Sequence, residues 1–138
     1  MRASDIMSSP VFGVTADAGI EEAAALMLER GFTTLPVVTG EGRLLGVVTE
    51  ADLVGARFVP GARGEPAPDS GTIPGLAPRR VRQLVHTVPP VPVTTELTDV
   101  IAIMVDSGRR CVPVVADGNR LVGMISWRDV LAQLLPRT

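Results

Sequence analysis

Two stretches of this chain combine residue types that can do chemistry together: Gly46-Val47-Val48-Thr49-Glu50-Ala51-Asp52-Leu53 and, 77 positions later, Gly123-Met124-Ile125-Ser126-Trp127-Arg128-Asp129-Val130. Each reads as a small residue entering a short apolar strand, then a hydroxyl residue able to cap a helix, with an aspartate three places on. Such a strand-turn-helix corner presents unpaired backbone N–H groups at a helix N-terminus, which suits an anion. Its carboxylate can accept hydrogen bonds from a sugar diol, so phosphate and ribose are both served. The same residues also spell a capping box, in which the acid returns to the N–H of its own cap. Both readings stand, and the duplication in one register weighs against a chance match.

The elements that must position these corners repeat with them. Ile20, Ala23, Ala24, Met27 and Leu28 form an apolar stripe at helical spacing, matched by Leu97, Val100, Ile101, Met104 and Val105. Each helix stops at a glycine, Gly31 or Gly108, which fits a left-handed cap. A β-rich run ending in Pro-Val-Val follows, Phe32 to Val38 and Arg109 to Val115, then a turn at Gly40-Glu41-Gly42 or Asp117-Gly118-Asn119 and a second hairpin strand. Pro36 and Pro113 point to an edge strand or a strand start. One more strand precedes each helix, Val11 to Thr15 and Val91 to Thr94, so each repeat is β-α-β-β-α. Ala3-Ser4-Asp5-Ile6-Met7 and Val81-Arg82-Gln83-Leu84-Val85 are equivalent lead-in segments.

The expected organisation is a first repeat over 1–54, a linker over 55–80 rich in Gly, Pro, Ala and Arg, and a second repeat over 81–138. Gly61 to Gly71 has no apolar period and is expected to be mobile. One repeat is too small to bury its helix stripe alone, so the fold class is α/β (α+β), two β-α-β-β-α repeats packed about a pseudo-twofold axis.

Composition excludes several functions. The chain has 138 residues, one Trp, three Phe, no Tyr and a net charge of −2, which argues against stacked bases and against a broad electrostatic grip on nucleic acid. No signal segment or unbroken membrane-length apolar run occurs, so a soluble, cytoplasmic protein is expected. The lone Cys111 reads as a packed thiol, and the lone His86 supplies neither a metal cluster nor a base–nucleophile pair. No P-loop, G-x-S-x-G or metal-ligand spacing is present, so no enzyme is expected and no cofactor is required.

With both repeats, the Leu/Val-Pro-Val-Val strands, the Gly-apolar-apolar-Thr/Ser corners and the closing aspartates in hand, the chain resembles a tandem pair of cystathionine-β-synthase (CBS) domains, a Bateman module, over Ala3 to Leu134 apart from the linker. It looks like a stand-alone module. The resemblance implies a regulatory, energy-sensing role. An adenosine-containing ligand (AMP, ADP, ATP, an NAD-type cofactor or S-adenosylmethionine) would bind in clefts between the repeats, and its state would pass to a regulated partner; a homodimer is implied too. The alternative is a structural dimerisation adaptor with no ligand. Carried over residue by residue, the resemblance makes Asp52 and Asp129 the ribose acceptors and puts Thr49 and Ser126 at phosphate. It has Thr33, Thr34, Arg109, Arg110 and Cys111 line the base and phosphate region, with Thr15 and Thr94 as further candidates. One departure is Gln83-Leu84-Val85-His86-Thr87, which lacks the acid-apolar-Met pattern of Asp5-Ile6-Met7.

Overall fold

The computed structural model describes residues 1–9, 11, 13–58 and 79–136. The first repeat runs β1 (Val14–Thr15), α2 (Ile20–Arg30), β2 (Thr34–Val38), β3 (Leu44–Thr49) and α3 (Glu50–Phe58), after a short α1 (Ala3–Ile6). The second runs β4 (Val91–Pro92), α4 (Leu97–Ser107), β5 (Cys111–Ala116), β6 (Arg120–Ser126) and α5 (Trp127–Leu131), after a 3-10 turn at Val81–Gln83. Both repeats are therefore β-α-β-β-α, and the protein is mixed α+β with a three-stranded sheet in each repeat, ordered β1-β2-β3 and β4-β5-β6. Helix α3 continues four residues past Val54, into the segment read as linker. Most of that segment, including Gly61 to Gly71, lies outside the described residues, as does Phe12 of the expected first strand.

The strands that precede the helices are shorter than the sequence suggests, two residues each; in the second repeat Val91 and Pro92 pair with Val114 and Val115 in a parallel register. The Pro-Val-Val strands are central, not at an edge or a strand start as their prolines suggest. The register explains how a proline is tolerated there. The Trp127 N–H donates to the Arg110 carbonyl at 3.1 Å, so alternation along the antiparallel pair turns Val112 and Val114 toward β6 and Pro113 away from it. On that other side β4 pairs only from Val114 onward, so the missing N–H of Pro113 leaves no bond unmade.

Both helices end as their glycines require: Gly31 (φ 71°) and Gly108 (φ 69°) are left-handed caps whose N–H groups return to Met27 and Met104 carbonyls. Their apolar stripes are narrower than the spacing implies. Ile20, Ala23 and Met27, like Val100 and Met104, are buried, but the equivalent residues Leu28 and Val105 are 87% and 62% exposed.

Two compact units emerge, each with its own core. One holds β1, α2, most of the first hairpin, α3 and residues 79–86, around Leu35, Val37, Val48 and Met27. The other holds α1, the hairpin tip Val38–Leu44 and the chain from Thr87 on, around Val100, Met104, Val112, Val114 and Ile125. The lead-ins thus serve the opposite repeat. Ala3 belongs to the second core, and its N–H donates to the Thr95 carbonyl at 2.8 Å. Val81 and Leu84 belong to the first core, with Val81 and Arg82 N–H groups on the Ala18 and Ala16 carbonyls, both at 2.9 Å. The departure at Gln83 is chemically conservative. Asp5 accepts from the Arg2 N–H at 2.6 Å, and Gln83 accepts equivalently from the Arg80 N–H at 2.9 Å.

Candidate functional site

The first corner closes on itself. Thr49 ends β3 and Glu50 opens α3; the Thr49 N–H donates to Asp52 Oδ2 at 2.8 Å and the Asp52 N–H donates to Thr49 Oγ1 at 3.2 Å. This is the reciprocal cap that the spacing allows, with Asp in the role more often taken by Glu. Glu50 N–H meets the Thr33 carbonyl at 2.9 Å, so the start of the Pro-Val-Val strand lies against the corner. Asp52 is only 3% exposed, the one buried charged residue among those described.

A buried carboxylate needs compensation. It comes from the lead-in of the second repeat: His86 Nε2 lies 3.0 Å from Asp52 Oδ2, with the imidazole 38% exposed. The backbone of His86 is fixed by two bonds to Val47, N–H to carbonyl in both directions, at 3.0 and 3.1 Å. Gly46 makes this approach possible, since a Cβ there would run into the His86 carbonyl.

The second corner is built alike. The Ser126 N–H donates to Asp129 Oδ2 at 2.8 Å, the Asp129 N–H returns to Ser126 Oγ at 3.4 Å, and Arg110 takes the place of Thr33 through its carbonyl. The lead-in of the first repeat lies on β6 as the other does on β3. Ser8 pairs with Met124, a Cβ at Gly123 would strike the Met7 side chain, and Ser8 Oγ donates to Asp129 Oδ1 at 3.2 Å. Equivalent positions therefore put a histidine on one aspartate and a serine on the other. Asp129 is half-buried, and Trp127 packs partly against the second core.

Cys111, at the start of β5, belongs to this second corner. Burial first, and the Asp129 carboxylate second, push its thiol from 9.0 up to about 12. A neutral thiol is thus kept well above neutral pH. Iodoacetamide at pH 8 should alkylate Cys111 roughly a thousandfold more slowly than an unperturbed thiol, following the thiolate fraction. Mass spectrometry showing alkylation at the rate of free cysteine in the folded protein would contradict this burial.

Of the remaining expected residues, Thr34 and Arg109 are half-buried beside Thr33 and Arg110 at the strand starts. Thr15 and Thr94 are exposed, at the end of β1 and in the turn after β4, and the hydrogen bonds that assemble the two corners do not include them. His86 and Ser8 were not expected at the aspartates. The available signal was the lead-in repeat itself, since Ser8 and His86 follow equivalent five-residue segments.

The CBS domain family model matches residues 3–58 and again 81–136. The chain belongs to the CBS domain family. Among curated relatives of this CBS pair is an uncharacterised 17.7 kDa protein of Acidianus ambivalens, 29% identical over 97% of the chain and 73% of the relative. An uncharacterised protein of Methanocaldococcus jannaschii, also 29% identical, is longer, and the whole chain spans 46% of it. Among solved structures, CBSX2 in complex with AMP superposes with a TM-score of 0.80 at 23% identity, over 96% of this chain and 95% of that one. The cytosolic domain of the Mg2+ channel MgtE in complex with ATP does so at 0.74 and 25%, over 97% of this chain and 48% of that one. Among the described residues of the CBS pair, no group of three or more His, Cys, Asp or Glu could hold a metal ion, and no helix is long and apolar enough to cross a membrane.

Proposed function

We propose that this CBS pair is a regulatory module that binds an adenosine-containing ligand at its two strand-turn-helix corners and signals its occupancy to a regulated partner. The carrying observation is the duplicated corner in which Thr49 with Asp52, and Ser126 with Asp129, hold a carboxylate at the start of a helix by reciprocal bonds to the cap. A carboxylate fixed this way is preorganised to accept a ribose diol, while Thr49 and Ser126 stand where a phosphate would meet the helix start. Thr33, Thr34, Arg109, Arg110 and Cys111 would line the base and phosphate region, with Thr15 and Thr94 further out. Complexes of CBSX2 with AMP and of the MgtE cytosolic domain with ATP support the choice of ligand class. A ligand signals only through unequal affinity for two states of the module, so the regulated partner must distinguish those states.

Homodimerisation belongs to the same proposal. Leu28 and Val105 stand exposed at equivalent helix positions, and Leu131, Leu134 and Leu135 are exposed near the end of the described chain. Light scattering that gives the mass of a single chain at micromolar concentration, with and without nucleotide, would contradict it. The ligand itself is tested by melting the protein with AMP, ADP, ATP, NAD and S-adenosylmethionine. A true ligand at 100 times its dissociation constant should add about 2.7 kcal/mol of stability. An unmoved melting point with every member of the panel would favour the structural adaptor, for which the self-satisfied caps speak.

A further inference from the structure

We propose that His86 is a proton-dependent competitor for Asp52, so that adenosine ligands bind the first corner more weakly as the pH falls, while the second corner, where Ser8 occupies the equivalent place, lacks this control. The inference rests on the reading of Asp52 as a ribose acceptor.

The geometry carries it. Oδ2 of Asp52 already takes the Thr49 N–H at 2.8 Å and faces His86 Nε2 at 3.0 Å. A ribose diol bound to a carboxylate brings two hydroxyl donors, and a carboxylate that is 3% exposed has little room for both a diol and an imidazole. The imidazole, at 38% exposure, is the partner placed to give way, since a change of χ moves it while its backbone stays tied to Val47. Asp129 meets a neutral hydroxyl in its place, Ser8 Oγ at 3.2 Å from Oδ1.

The sign follows from the partners. A protonated imidazole makes a charge-assisted bond to a carboxylate and a neutral one a weaker bond. A ligand that displaces it must therefore release protons, and affinity falls as the pH falls through the histidine range. Among the described residues, the other charged groups on the elements packed around the pair are arginines and carboxylates. The lead-in carries Arg79, Arg80 and Arg82, with Arg82 on Asp17 at 3.3 Å; α3 carries Glu50 and Arg57, with Arg57 on Glu21 of α2 at 3.7 Å; β2 and β3 carry no ionisable side chain.

Adenosine is the probe, since it has no phosphate to titrate. In an Asp129→Asn background, titration calorimetry at pH 8.0 and pH 5.5 should show affinity falling about fivefold or more at the lower pH with His86 present, and less than about twofold with His86→Gln. The single histidine allows a second readout in the unmodified protein. Saturating adenosine should lower the midpoint of the His86 proton resonance titration. If adenosine binds but the pH dependence survives His86→Gln, or the His86 midpoint stays where it was, the competition is overturned while the ribose reading stands. If adenosine binds neither chain at millimolar concentration, the ribose reading falls and takes the competition with it.

Discussion

Gly46→Ala is expected to cost about 3 kcal/mol or more, toward the upper end of overpacking penalties, and to lower the melting temperature by roughly 10 °C. The added methyl would meet the carbonyl of His86, a backbone group held by two bonds to Val47, so the strand pairing itself must open. Reduced freedom in the unfolded chain returns only about 0.4–1 kcal/mol. Gly123→Ala is the internal control. There the methyl meets the side chain of Met7, an unbranched thioether that can turn away, and the expected cost is about 1 kcal/mol. Chemical denaturation of both variants checks the asymmetry, and equal losses would mean that the two lead-ins are not held as described.

Asp52→Ala should destabilise the protein by about 2–3 kcal/mol, combining a lost helix cap with donors left facing a buried void. The donors are the Thr49 N–H and His86 Nε2, and the half-exposed imidazole recovers part of its loss from water. Asp129→Ala should cost about 1 kcal/mol, the ordinary value of a cap, since that carboxylate is half-buried and its extra donor is an exposed serine. A urea midpoint for Asp52→Ala no lower than that for Asp129→Ala would contradict the assignment of Asp52 as the compensated buried charge.

What the sequence made legible follows from local rules. The helix glycines, the hairpin turns and the capping pattern are each written within a few residues, and the 77-residue duplication allowed each to be checked against its copy. What stayed hidden is non-local. Pro36 and Pro113 read as edge residues because the rule for proline concerns pairing on both sides of a strand, and the two-residue length of β4 cannot be seen from β5. Leu28 and Val105 fit an apolar period but lie at the margin of a stripe whose width the core decides. The exchange of lead-ins brings His86 to Asp52 across 34 positions and Ser8 to Asp129 across 121, and side-chain types alone do not encode such pairings. The two corners were legible as sites and as caps at once, and the structure realises the caps.

The central claim, that these corners take adenosine ligands through their aspartates, is tested most directly by titration calorimetry of AMP against the unmodified chain and the Asp52→Asn, Asp129→Asn double variant. Asparagine keeps the shape and a cap acceptor, so the fold should persist, but it removes the charge from the proposed ribose acceptor. The account predicts saturable AMP binding to the unmodified chain and a loss of affinity of about tenfold or more in the double variant, the size expected when charge-assisted bonds are lost. Equal affinity in the two proteins, or no AMP binding to the unmodified chain, would contradict it.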